Sequence, residues 1–223
     1  MTTRPKEPQA RSDARDDGAE AERAGSVLLR LESLGIDLHA ADFPSRFIEF
    51  CEANDDYEME VNEAGDLVIL PMVGFRGNRR EHYLNVFMGN WEIANGGVSA
   101  SQTSRFRLAT GAIRGPDAAW ISQERYDTAT EQERETVFPG APDFVVEIRS
   151  RTDNLAPLQR KMRLWMDGGA RLGWLIDPTT RRVYVYRAGR PEPELLEDPE
   201  TLDGEDVLPS FSFNVRQYIF DME

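Results

Sequence analysis

The run Ala141–Arg187 constrains the fold more than any other part of this chain. APDFVVEIRS contains an apolar strand, Phe144–Ile148, whose fourth residue is a carboxylate. Asn154–Asp167 is expected to be helical, with Gly168-Gly169 as its stop. A second apolar strand, Leu172–Ile176, ends at Asp177-Pro178. Arg182–Arg187 then alternates Val183 and Val185 with Tyr184 and Tyr186, so Asp177–Arg181 should be a hairpin connection.

Upstream, Val27, Leu28, Leu31 and Leu34 recur at helical spacing and close at Gly35. A second helix should start after Phe43-Pro44-Ser45 and carry Phe47, Ile48, Phe50 and Cys51. Tyr57, Met59 and Val61 alternate with Glu58 and Glu60, the pattern of a half-buried strand, and Gly65-Asp66 turns it into Leu67–Leu70. Asn78–Ala94 is the longest internal helix candidate, stopped by Gly96-Gly97. Short strands are expected near Val98–Ser101, Arg105–Leu108 and Ala118–Ser122, then a polar helix over Thr128–Thr136. Helices interleaved with strands and hairpins specify an α/β fold with a mixed sheet. Residues 1 to about 23 offer almost nothing to bury and read as a disordered charged tail, leaving 24–223 as one domain.

A single cysteine, Cys51, excludes an internal disulfide and a cysteine-based zinc cluster. No apolar run approaches the ~20 residues that cross a bilayer, and no hydrophobic segment marks a secretory signal, so a cytoplasmic location is expected. The net charge of −14 disfavours a nucleic-acid partner, because grip on phosphates comes from Lys and Arg. The basic residues are clustered, however: Arg76, Arg79 and Arg80, then Arg149, Arg151, Arg160, Lys161 and Arg163. Acids gather over Glu192–Asp206 instead.

Two Pro-Asp dipeptides compete for a catalytic role. Asp143 and Glu147 share a strand face four residues apart, which separates their Cα atoms by ~13 Å. That is too far for both to grip one Mg²⁺ at ~2.0–2.1 Å, so Asp143 reads as a strand-entry residue. Asp117 opens a different strand, thirty residues before Glu147. Acids on adjacent strands can lie within ~5 Å and share a metal. Each also has a plain reading: Asp117 as a turn residue, and Glu147 as the partner of Arg149, since a buried carboxylate needs a cation or a metal. On the following helix, Leu155, Leu158, Met162, Trp165 and Met166 form one face, with Lys161 at its boundary. Lys161 either reaches the sheet edge or snorkels to water. His39 and His82 lack partners at metal-ligand spacing, and no P-loop, GxSxG or dinucleotide fingerprint occurs.

Taken together, AIRGPDAAWIS, APDFVVEIRSRTDNLAPLQRKM and GGARLGWLIDPTTRRVYVYR resemble the Uma-type restriction endonucleases of the PD-(D/E)XK nuclease superfamily. The resemblance runs from about Pro44 to Phe213. It implies a restriction-endonuclease-like mixed sheet flanked by helices and Mg²⁺-dependent cleavage of DNA phosphodiesters, with Mn²⁺ as a substitute ion. By position, Asp117 and Glu147 would hold the metal, completed by the peptide carbonyl of Ile148. Arg149 stands where the superfamily places its lysine; a guanidinium can offset phosphate charge but is a poor base. Lys161 fits the position of a lysine moved to the next helix, where it would help to place the attacking water. Phe75 replaces a glutamate found in relatives, with Glu81 as a conceivable substitute. A homodimer is expected for cutting a duplex. The rival expectation is a degenerate scaffold or partner-binding module that keeps Glu147 and Arg149 as a structural pair.

Overall fold

The computed structural model describes residues 25–72 and 74–222; the tail expected over 1–23 lies outside them. The chain enters through strand β1 (Val27–Arg30) and helix α1 (Phe43–Glu52), then the hairpin β2 (Glu58–Val61) and β3 (Asp66–Leu70). Helix α2 (Phe75–Asn95) crosses to β4 (Val98–Ser101), β5 (Phe106–Arg107), β6 (Ile113–Arg114) and β7 (Ala118–Ile121). Two short helices, α3 (Gln123–Thr128) and α4 (Glu131–Glu135), lead to β8 (Phe138–Pro139) and β9 (Phe144–Ile148). Helix α5 (Leu155–Asp167), β10 (Leu172–Asp177), β11 (Arg182–Arg187) and β12 (Glu194–Glu197) follow. A ribbon of β13 (Leu202–Asp203) and β14 (Ser212–Phe213) and a π-helical turn at Arg216–Phe220 close the chain.

The strands form two mixed six-stranded sheets, ordered β1-β3-β2-β6-β5-β8 and β12-β11-β10-β9-β7-β4. In the second, β9 runs parallel to β10, with α5 as the crossover, and antiparallel to β7. Alternation along β9 divides its side chains between two cores. Phe144, Val146 and Ile148 pack towards α2 and the C-terminal segment, against Leu84, Met88, Trp174 and Phe213. Val145 faces the other way, towards Leu158, Met162 and Trp165 of α5. Those three residues lie at i, i+4 and i+7 and so share one helix face. Gly173 lets this face sit close to the sheet: a Cβ there would lie 2.5 Å from Met162 Cε. The first sheet packs Met59, Val61 and Ile113 against Phe43 and Phe47 of α1 in a third core.

Most of the expected elements are present, including the β2–β3 hairpin, the long α2, and the β9–α5–β10–β11 succession. The helix expected over Val27–Leu34 is instead a strand and a single 3-10 turn. Val27–Arg30 bonds to Leu67–Ile69 and Asp66 at the sheet edge. Its helical spacing would have served a core face, yet Val27 is 50% exposed and Leu29 46%; strand pairing, not side-chain burial, decides the conformation. The polar helix expected over Thr128–Thr136 is split at Ala129–Thr130, because Thr130 and Glu133 form a capping box that starts a new helix.

Asp143 takes the structural role expected of it. Its carboxylate accepts from the Ser122 amide at 2.8 Å and pairs with Arg125 at 3.2 Å, tying the entry of β9 to the end of β7. At the far end of β10, the fully buried Asp177 accepts from Arg149 at 2.8 Å and from the Thr180 hydroxyl at 2.9 Å. Burial pushes its pKa up, but the Arg149 and Thr180 hydrogen bonds outweigh burial and hold it below the ordinary value. A depressed folded pKa stabilises the fold above the unfolded pKa, and that contribution is lost as pH falls through the folded value. Asp177→Asn should therefore lower the unfolding free energy by about 2 kcal/mol at neutral pH, as breaking a charged buried hydrogen bond does. In urea unfolding the gap between wild type and variant should narrow on acidification; a gap unchanged by pH would contradict this account.

Candidate active site

Register brings the two acids singled out by sequence together. β7 and β9 pair Ala118 with Val146 and Ala119 with Val145. One step further along the same ladder places Asp117 opposite Glu147, on the face that α5 covers. The Asp117 amide donates to the Val146 carbonyl at 3.1 Å, and the Ile148 amide donates to Asp117 Oδ2 at 2.6 Å. Asp117 is thus fixed by the strand end that carries Glu147. Asn85 of α2 donates to the Asp117 carbonyl at 3.1 Å and to the Glu81 carbonyl at 2.9 Å, securing the same corner from the helix side.

Glu147 is only 3% exposed. Lys161 and Trp165, one helical turn apart on α5, both reach it. Lys161 Nζ lies 3.1 Å from Glu147 Oε1 and 3.2 Å from Oε2, and Trp165 Nε1 donates to Oε1 at 2.9 Å. The lysine does not snorkel to water. It is 6% exposed, and its ammonium also donates to the Gly115 carbonyl at 2.8 Å.

A third acid, Glu60 of β2, completes the cluster and was not foreseen. Its Oε1 is 3.5 Å from Lys161 Nζ and accepts from the Gly115 amide at 2.8 Å, while Oε2 accepts from Arg114 at 3.0 Å. Arg114, itself buried, donates its other arm to Glu63 at 2.7 Å. The alternation of Tyr57–Val61 put Glu60 on the wet side of a half-buried strand, but Lys161 of α5 and the Arg114–Gly115 segment cover that side. One signal was available. Arg114 lies within AIRGPD, three residues before Asp117, and a buried arginine there requires an acid from a neighbouring strand.

The electrostatics of the cluster are lopsided. Burial and the flanking Asp117 and Glu60 charges push Glu147 up to about 8, against the opposing pull of Lys161 and the Trp165 hydrogen bond. Burial also acts to raise Glu60, but Lys161, Arg114 and Arg105 overcome it and bring Glu60 to about 2. The two glutamates that share Lys161 are thus driven in opposite directions, burial prevailing at Glu147 and the cationic neighbours together prevailing at Glu60. Glu60, Asp117, Glu147 and Lys161, with Ile148, Asp153 and Leu158, line a small cleft that also touches Glu58, Leu70 and Gln102.

Arg149 does not point into this cleft. Its guanidinium is engaged by Asp177 at 2.8 Å and by the Asp153 carbonyl at 3.1 Å. Glu147 consequently has Lys161 as its partner, not Arg149, although the two are only two residues apart on the chain. Phe75 stands 86% exposed at the start of α2, and Glu81 is buried one turn and a half further on. Among the described residues, no three His, Cys, Asp or Glu side chains are already drawn together as a metal cage.

A family model described as "Uma2: Putative restriction endonuclease" matches residues 44–216. No curated protein matches the chain. Among solved structures, a crystal structure of "a putative nuclease belonging to DUF820" from Anabaena variabilis is similar, with a TM-score of 0.62 and 18% identity over 72% of this chain and 89% of that one. At that identity the likeness speaks for the fold.

If Lys161 neutralises Glu147, the two residues must be energetically coupled. Lys161→Met should lower the unfolding free energy by about 3–5 kcal/mol, the scale for stranding one partner of a buried pair. Combining it with Glu147→Gln should cost at least about 1 kcal/mol less than the sum of the single losses. Strictly additive losses in denaturant unfolding would mean that the ammonium does not hold this carboxylate.

Proposed function

The chain belongs to the Uma2 family of restriction-endonuclease type, and from that premise we propose that it is a metal-dependent endonuclease hydrolysing DNA phosphodiester bonds. The observation that carries the proposal is the pairing of Asp117 with Glu147 across β7 and β9, with Lys161 overhead. The donor set is entirely oxygen, which suits a hard cation such as Mg²⁺ or Mn²⁺ and not a thiolate- or imidazole-seeking metal. Mg²⁺ is commonly held by one or two carboxylates and keeps several waters, so a two-acid site without a preformed cage fits its habits. The carboxylates of Glu60, Asp117 and Glu147 line the cleft with one ammonium, that of Lys161.

In this reading Asp117 and Glu147 hold the ion, with the peptide carbonyl of Ile148 at the end of β9 as the third protein ligand. The metal, when bound, supplies charge stabilisation at the phosphate and acidifies a water molecule. The protein's own residues do the rest. Asp117 is kept in one orientation by the Ile148 amide, and Glu147 by Trp165. Lys161 is anchored on the Gly115 carbonyl and Glu60, from where its ammonium can orient the attacking water and donate to a phosphate oxygen. Glu60 acts through that lysine as a positioning residue, held in turn by Arg114. Water adds to phosphorus as the bond to the leaving sugar oxygen breaks, and that oxygen takes up a proton. Arg149, committed to Asp177, supports the loop after β9 in this scheme instead of meeting the phosphate. For a duplex substrate, a homodimer would present one cleft to each strand.

One observation favours a second reading, a nuclease-fold scaffold without catalysis: Lys161 already neutralises Glu147 and Glu60 in part. Calorimetry with Mn²⁺ separates the two. A nuclease should bind the ion, and Asp117→Ala or Glu147→Ala should abolish the binding and reduce cleavage of plasmid DNA in Mg²⁺ or Mn²⁺ by at least about 100-fold. Absence of Mn²⁺ binding by the wild-type protein, with DNA present, would establish the scaffold.

A further inference from the structure

Beside the carboxylate cleft runs a second, wider groove. It is formed by the start of α2, the loop between β9 and α5, and the β10–β11 turn, with Arg76, Arg80 and Arg151 among its lining residues. The two concavities are lined by neighbouring residues of the same segments. Ile148 and Asp153 line the cleft, while Ser150, Arg151 and Thr152 between them line the groove. Leu70 belongs to the cleft, and Met72 to the groove. A polymer lying in the groove would therefore pass the mouth of the cleft.

The groove's charge runs against that of the chain. In a protein of net charge −14, three guanidiniums line it, and among the described residues none of the three is held by an Asp or Glu. Arg80 donates to the Ile219 carbonyl at 3.0 Å, and burial followed by the adjacent Arg76 charge holds its pKa below the ordinary value. Arginines facing one another without an acid form a site for anions, and several in a row form a site for a phosphate backbone. The first turn of α2, whose N-cap Gly74 supplies no side-chain cap, adds to the same field.

The apolar part of the groove narrows the class of polymer. Phe75 is 86% exposed and Met72 96%, both beside Arg76. A solvent-exposed aromatic ring flanked by guanidiniums offers a stacking surface for a base, and only an unpaired base can present its face to it. The buried position of Glu147 and Lys161 points the same way, since a flexible strand enters a recessed cleft more readily than a stiff duplex does.

We propose that this groove guides an unpaired segment of single-stranded DNA to the carboxylate cleft, with phosphates on Arg76, Arg80 and Arg151 and a base on Phe75. The proposal rests on the nuclease reading for its purpose, but its test does not require cleavage or metal. Fluorescence anisotropy in EDTA with labelled dT15 and with a 15-base-pair duplex reads the binding directly. The single strand should bind more tightly. Arg76→Gln combined with Arg151→Gln, both exposed positions, should weaken dT15 binding at least about tenfold and lower the salt slope by about 1.4, or ~0.7 for each phosphate no longer neutralised. Phe75→Ala should weaken dT15 binding about tenfold, the effect of losing one stacked base, and leave duplex binding unchanged.

Equal affinity for strand and duplex, or indifference of dT15 binding to either set of substitutions, would overturn the proposal. If wild-type protein binds Mn²⁺ through Asp117 but not dT15, the groove assignment falls and the nuclease reading stands. Arginine-dependent binding of dT15 by a protein that takes up no Mn²⁺ would support the groove and remove the catalytic reading.

Discussion

The ammonium of Lys161 is the point at which this structure is joined. It binds Glu147 on β9 of one sheet, Glu60 on β2 of the other, and the Gly115 carbonyl on the segment leading into β7. A buried lysine is costly unless paired, and two buried glutamates are costlier still, so each makes the others tolerable. The rest of α5 is arranged to deliver this group. Leu158, Met162 and Trp165 seat the helix on Val145 and Leu175, and Lys161 rides at the edge of that face, where the two sheets diverge. The seam adds a polar tie to an apolar one, since Phe106 and Phe138 of the first sheet share a core with Trp165 of α5 and Val145 and Leu175 of the second.

An acidic chain can still carry a basic surface locally. Positive charge is kept along the groove, on Arg76, Arg80 and Arg151, while the cleft gathers carboxylates around the single ammonium of Lys161. Glu60 is neutralised by Arg114 and Lys161, and Glu63 by Arg114. In the C-terminal region a string of pairs, such as Arg187 with Glu194 and Glu205, and Arg181 with Asp198 and Asp221, consumes the basic residues. Net charge therefore says little about the local field.

Much of this was legible in the sequence, and the remainder was not for identifiable reasons. Strong period and punctuation revealed β9, α5, β10 and β11, whereas Asp117, Glu147 and Lys161 each kept a plain structural reading on pattern alone and were singled out together only by the family resemblance. The partner of Arg149 was not readable: two residues along a strand share a face, yet beyond the end of β9 the chain turns and Arg149 meets Asp177, twenty-eight residues away. Glu60 was hidden by an alternation that ordinarily means one wet face. Whether such a face is wet depends on what another element lays over it, and local pattern carries no record of that. Short strands such as β6 and β8 have two residues each and no period to detect.

Asp117 and Glu147 should act as one metal site under the control of Lys161. A crystal of the protein soaked in Mn²⁺ and measured for anomalous scattering tests this most directly. The expected result is a single strong peak within bonding distance, ~2.2 Å, of a carboxylate oxygen of each acid, with Lys161 displaced towards Glu60. A peak bound elsewhere, or a soaked crystal in which Lys161 still bridges Glu147 and Glu60 and no ion lies between the acids, would contradict it.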